Sequence, residues 1–185
     1  PNARRRIAET MVAKSYFARG EYYRCSVDAC PPAYAHASPR PPDRWQQIRD
    51  EFRIEVKPRR APGGQTLIYA GSSQKYCDWH ELGDVSEFAG ATCHAINKQT
   101  HSALKLLYRP KPSWVAGHAE DVKRLPDTEF SGPDVKLDAL LPGCAALITH
   151  GSNAAVEAVI AGVPAIVISQ GACAAEPVAG NKIEA

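Results

Sequence analysis

No apolar run in the sequence approaches the ~18–20 residues that a bilayer-spanning helix needs, and no signal-peptide pattern opens it. The expectation is a cytoplasmic protein with no membrane span. Six cysteines (Cys25, Cys30, Cys77, Cys93, Cys144 and Cys173) are scattered without a C-x-x-C pair. That scatter reads as free thiols and argues against a zinc module or a disulfide framework. There is no internal repeat, Walker loop, Gly-x-Ser-x-Gly elbow or acidic metal cluster. Solenoids, P-loop hydrolases, nucleophile-elbow hydrolases and acidic metal sites are thereby set aside.

The 185 residues suffice for one compact domain with an appendage. The net charge of +2 is unevenly spread. Residues 1–60 hold 13 Lys/Arg against 7 Asp/Glu (+6), whereas residues 61–185 hold 9 against 13 (−4). A basic N-terminal third suits a polyanionic partner, nucleic acid or an anionic glycan, and suits a solvated surface equally well.

Taken in order, residues 2–19 have the spacing of a basic amphipathic helix, with Ile7, Met11, Val12 and Tyr16 recurring and Gly20 ending it. Glu21 to Val27 is a strand candidate, residues 31–42 form a proline-rich loop, and Asp43 to Phe52 reads as a short helix. Asp43 is its expected cap, with Trp45 and Ile48 facing inward. Lys57 to Gly64 has linker composition, so the expected boundary separates residues 1–60 from residues 61–185.

Gln65 to Ala70 then makes a first strand running into Gly71-Ser72-Ser73. Glycine there permits close backbone approach and serine adds hydroxyls, although such a turn is also ordinary. Lys75, Tyr76, Asp78, Trp79 and His80 read as a polar, aromatic loop. Val85 to Asn97 is a helix candidate with Phe88, Ala91, Thr92, Ala95 and Ile96 inward and His94 off the site. Leu104 to Tyr108 is the next strand, ending in Arg109-Pro110-Lys111-Pro112. A proline frame presenting Arg109 and Lys111 at a strand's carboxyl end has good geometry for anions. Thr128 to Ser131 and Asp134 to Leu141 read as a short strand and a short helix.

The most informative stretch is 145–168. An uncharged apolar run ends at Thr149, and the polar turn His150-Gly151-Ser152-Asn153 follows. An apolar helix from Ala154 to Ala161 comes next, then Gly162 at a left-handed C-terminal position and Pro164 as a stop. Ala165 to Ile168 supplies another strand. This is a βαβ unit, whose helix N-terminus offers backbone N–H groups to phosphate. Glu157 is the one acid on that helix, and ribose hydroxyls would satisfy its carboxylate.

The combination His150-Gly151-Ser152-Asn153, Glu157, then Gly162-Val163-Pro164 resembles the nucleotide-sugar signature of GT-B glycosyltransferases. The Arg-Pro-x-Pro segment at Arg109 resembles the Arg-Pro-His-Pro of capsule-polysaccharide-type members, with Lys111 in the histidine's place. The resemblance implies that the His-Gly turn holds the donor diphosphate and that Glu157 holds the ribose. It also implies a Rossmann-like doubly wound parallel sheet over residues 61–185, with a small, partial N-terminal α/β region. Two departures are visible: the turn is one residue shorter than in plant-type members, and Ser169-Gln170 stands where an Asp-Gln pair often binds the donor sugar. A full GT-B enzyme is about twice this size, so a piece of a longer protein is expected.

The resulting expectation is a metal-independent glycosyltransferase without cofactor, using a nucleotide-sugar as substrate, with a UDP-sugar the first choice. Its acceptor would be a glycan or nucleic acid, met through basic residues 1–60. Gly71, Ser72, Ser73, Arg109, Lys111, His150, Gly151, Ser152, Asn153 and Glu157 would bind the donor, with His150 and Arg109 catalytic. His36 and Asp28 qualify as the acceptor base by residue type alone. The alternatives are a nucleotide-sugar epimerase or hydrolase and a noncatalytic nucleotide- or polyanion-binding module.

Overall fold

The computed structural model describes residues 10–14, 23–27, 41–60, 63–101, 103–111, 127–132 and 134–168. The chain divides into two compact units, Pro1–Glu55 and Val56–Ala185.

In the first unit, β1 (Thr10–Lys14) pairs antiparallel with β2 (Tyr23–Val27), Thr10 opposite Val27 and Lys14 opposite Tyr23. The amphipathic helix expected over 2–19 is therefore wrong at its centre. Thr10 and Val12 are β-branched, and a partner strand close by in sequence supplies cross-strand hydrogen bonds that outweigh a weak helical periodicity. The strand expected at Glu21 to Val27 is present. Helix α1 (Asp43–Glu51) is also present, but Pro42 rather than Asp43 is the N-cap residue and no side chain caps it. None of its residues is buried, Trp45 being 37% exposed, so the inward face expected for Trp45 is not observed.

The second unit is a five-stranded, wholly parallel sheet in the order β5-β4-β3-β6-β7. Its strands are β3 (Thr66–Ala70), β4 (Lys105–Arg109), β5 (Thr128–Phe130), β6 (Cys144–Thr149) and β7 (Ala165–Val167). The two central strands, β3 and β6, are uncharged and largely buried, as a parallel sheet covered on both faces requires. Leu67, Tyr69, Leu106, Tyr108 and Ile148 project to one face, against α3 (Val85–Gln99). Ile68, Ala70 and Leu147 project to the other, against α4 (Leu137–Leu140) and α5 (Ala154–Ile160). The fold is Rossmann-like and doubly wound.

Three local readings are corrected. Residues 74–79 are helix α2, not a loop; Ser73 caps it by accepting from the Tyr76 N–H at 3.3 Å. In α3 the buried stripe is Val85, Ala89, Cys93 and Ile96, leaving Ala91 and Ala95 exposed and Phe88 and Thr92 half-buried. The inward stripe is thus rotated from the expected one, because Phe88 and Thr92 look apolar enough for the core but sit at its rim. Residues 134–136 precede rather than join the short α4, which tightens into a 3₁₀ turn at Leu141–Gly143.

Helix α5 ends as its sequence specifies. Gly162 has φ +76°, its N–H donates to Val159 O at 3.0 Å, and Val163 N–H reaches Ala158 O at 2.9 Å, a Schellman closure. Residues 57–60, linker-like in composition, lie against this end: Lys57 N–H donates to Ile160 O and Arg60 N–H to Gly162 O, both at 2.8 Å. The Arg60 guanidinium also donates to the Leu141 and Pro142 carbonyls at 3.0 and 2.9 Å. Of the cysteines, Cys77, Cys93 and Cys144 are free thiols and buried.

Candidate functional site

β3 leaves its carboxyl end by way of α2 and α3 on one face to reach β4, whereas β6 leaves by way of α5 on the other face to reach β7. Adjacent strands whose exits diverge in this way open a crevice between their carboxyl ends. Gly71-Ser72 and His150-Gly151 are the first residues past those two ends.

One side chain ties the crevice walls together. The Thr149 hydroxyl, fully buried, donates to Ala70 O at 2.8 Å and accepts from the Ser152 N–H at 3.0 Å. Ser152 Oγ accepts from the Ala154 N–H at 3.3 Å. Some of the amides expected to meet a phosphate are thus already engaged within the turn. Asn153 occupies the N-cap position without a side-chain cap bond. Glu157 stands exposed in the first turn of α5. Ser72 is buried, and Ser73 is engaged in capping α2.

Arg109 pairs in register with Ala70, and its carbonyl accepts from the Gly71 N–H at 2.9 Å, which joins the β4 exit to the same edge. By alternation with Leu107, its side chain belongs to the α4–α5 face. One terminal nitrogen reaches Val135 O at 3.5 Å, while Nε is buried and has no hydrogen-bond partner among the described residues. Lys111, two residues on, is exposed.

His150 falls on the opposite face. It is 9% exposed, its ring lying 4.6 Å from that of Phe88 and edge-on to Tyr69 at 6.1 Å, with Nε2 3.4 Å from Thr92 Oγ1. Burial lowers its pKa from 6.5 to about 4, so the ring is neutral near pH 7. Tyr69 and Tyr108 lie in the same wall with buried hydroxyls that meet no hydrogen-bond partner among the described residues. Thr92 lies near enough to Tyr69 to counter part of the burial effect, but short of bonding geometry. Gly71 is needed here: a Cβ on it would come within 2.7 Å of the Tyr108 ring and hydroxyl.

The buried neutral imidazole gives stability a definite pH dependence. An unfolded His150 takes up a proton near pH 6.5, whereas the folded one does so only near 4. Its contribution is complete above pH 6.5 and is lost as pH falls through about 4, on the order of 3 kcal/mol over the interval. Denaturant unfolding at pH 7.0 and 4.5 should show a smaller acid loss for His150→Gln than for the wild type. Equal losses would mean that His150 is accessible to protons.

The expected residues thus divide between two faces. Arg109 and Glu157 belong to the α4–α5 side, His150 belongs to the α3 side, and Gly71 and Thr149 join them at the rim. Thr149, Thr92, Phe88 and Tyr108 also border the candidate site, and the sequence alone does not single them out for it. An internal threonine at a strand end followed by a polar turn is the available signal for Thr149; the other three depend on tertiary neighbours. His36, Asp28 and Ser169-Gln170 lie outside the described residues. Among the described residues no cluster of His, Cys, Asp or Glu could hold a metal ion, and no helix is long and apolar enough to cross a membrane.

The fold and the strand-end crevice define a doubly wound α/β protein, a class whose ligands sit at the topological switch point. No family model matches the sequence, and no curated protein matches it. Among solved structures, KpsC of Thermosulfurimonas dismutans, a beta Kdo 2,4 transferase, shares the fold with a TM-score of 0.52 at 12% sequence identity. The likeness covers 75% of this chain and 48% of that one, so the chain spans about half the length of that protein. At such identity the likeness establishes the fold and assigns no residue a role.

Proposed function

We propose that the chain carries the nucleotide-sugar site of a metal-independent, GT-B-type glycosyltransferase. The observation that carries this reading is the buried Nε of Arg109, without a hydrogen-bond partner among the described residues, at the carboxyl edge of the sheet beside the switch point. A guanidinium N–H taken out of water calls for an acceptor, and the diphosphate of a nucleotide-sugar is a strong one. In this reading Arg109, helped by Lys111, takes the charge of the leaving diphosphate, and the Gly71-Ser72 and Gly151–Asn153 backbones border it. Glu157, exposed in the first turn of α5, accepts from the ribose hydroxyls. His150, being neutral, contributes hydrogen bonding rather than charge. Catalysis would then come mostly from positioning and from stabilising the departing charge.

Support from outside the site comes from the shared fold with a sugar transferase, together with the Glu157–Gly162–Pro164 spacing. A UDP-sugar is the proposed donor, and a glycan or nucleic acid, met through basic residues 1–60, the proposed acceptor.

The test is a thermal-shift panel of UDP, GDP, ADP, CMP and their sugar conjugates, with and without magnesium. Ligand at a hundredfold excess over Kd should stabilise the fold by ~2.7 kcal/mol. A base-selective, magnesium-independent shift, lost in Arg109→Gln and Glu157→Ala but kept in Glu129→Ala, is the expected result. No shift with any nucleotide would remove the donor-site reading for this chain.

A further inference from the structure

We infer that Thr92 is a positioning residue that holds His150 in the neutral tautomer carrying its proton on Nε2. Thr92 Oγ1 lies 2.8 Å from Phe88 O, the carbonyl one turn back in α3, and a carbonyl can only accept. The single hydroxyl proton is therefore spent on Phe88. Toward His150 Nε2, 3.4 Å away, Thr92 presents a lone pair, and the imidazole must be the donor.

Other contacts keep the ring in place for this. Phe88 packs tilted on it at 4.6 Å and Tyr69 meets it edge-on at 6.1 Å, so one turn of α3, from Phe88 to Thr92, holds the imidazole by face and by nitrogen. Burial keeps the ring neutral near pH 7, so one nitrogen donates and the other accepts.

Only the consequence for binding rests on the donor-site reading. With Nε2 protonated, Nδ1 is the accepting nitrogen. Whatever meets Nδ1, from the chain itself or from a ligand, is then a hydroxyl or an N–H and not a phosphate oxygen. The diphosphate then falls to Arg109, across the sheet edge, and a hydroxyl of the ribose or of the transferred sugar is the chemistry that suits His150.

Nitrogen-15 histidine labelling at pH 7, with the His150 signal assigned by its loss in His150→Gln, tests the tautomer directly. The wild type should show a protected proton coupled to Nε2. Thr92→Val, nearly isosteric, should lose that protected resonance, and Thr92→Ser should restore it. A proton coupled to Nδ1 in the wild type, or a Thr92→Val spectrum unchanged from it, overturns the inference. Should Thr92→Val not fold, Thr92→Ala takes its place with the same expected loss, and an Nε2 resonance unchanged in it overturns the inference. In the nucleotide panel, Thr92→Val should weaken a detected ligand about tenfold and Thr92→Ser less than about threefold. Equal affinities in all three would also count against it. A panel with no binder overturns the donor-site reading while leaving the coupling measurement to judge Thr92 independently.

Discussion

Gly162→Ala is expected to destabilise the second unit by ~3–5 kcal/mol and to lower its melting temperature by roughly 10–20 °C. Two separate effects add. At φ +76° an alanine pays the left-handed strain that glycine escapes. Its Cβ would also run into the carbonyl oxygen of Pro58, a backbone atom fixed by the flanking bonds from Lys57 to Ile160 and from Arg60 to Gly162. Relief would require lifting residues 57–60 off the end of α5 or opening the Schellman closure. Gly143→Ala is the control, since a Cβ there would meet nothing within 4 Å. Chemical denaturation of both variants decides the matter. A Gly162→Ala protein within ~1 kcal/mol of the control would mean that the 57–60 segment does not hold this position in solution.

Thr149→Val should cost about 2–4 kcal/mol, more than its near-identical volume suggests. The hydroxyl serves Ala70 O and the Ser152 N–H together, so its removal strands an acceptor at the end of β3 and a donor in the turn after β6. Thr149→Ser keeps both bonds and gives up only a methyl group, about 1 kcal/mol. The same pair of variants separates stability from binding. If the two walls of the crevice are held in register by this hydroxyl, the affinity of any nucleotide that the proposed panel detects should fall further in Thr149→Val than in Thr149→Ser. Equal stabilities for the two variants would show that water replaces the hydroxyl without loss.

The parts of the fold that are legible in the sequence are those governed by short-range pattern. Uncharged runs at 66–70 and 144–149 read as buried parallel strands, and Gly162-Val163-Pro164 states where α5 ends and why. What stays illegible depends on partners elsewhere along the chain. Thr10–Lys14 carries a faint helical period that its pairing with Tyr23–Val27 overrides. Residues 74–79 look like a loop until Ser73 is seen to cap them. At the site, residue type locates the strand-end loops but not the faces. Whether Arg109 and His150 point together or apart follows from the strand alternation and from α3, and the answer is apart. The same cause hides Thr92 and Phe88, which look like core residues of an amphipathic helix and instead hold a histidine 58 positions away in sequence from Thr92.

The clamp from Thr149 to Ala70 closes a loop of 79 residues, and that span contains α2, α3, β4, β5 and α4. Closing so long a loop costs chain entropy before any contact repays it, and the parallel pairing of β3 with β6 is of this slow, non-local kind. The crevice therefore has no local folding unit of its own. No peptide drawn from either wall can form it, and cutting the chain anywhere between the walls leaves their union to chance encounter. The shape of the crevice and the cooperative folding of the second unit should consequently be gained and lost as one event.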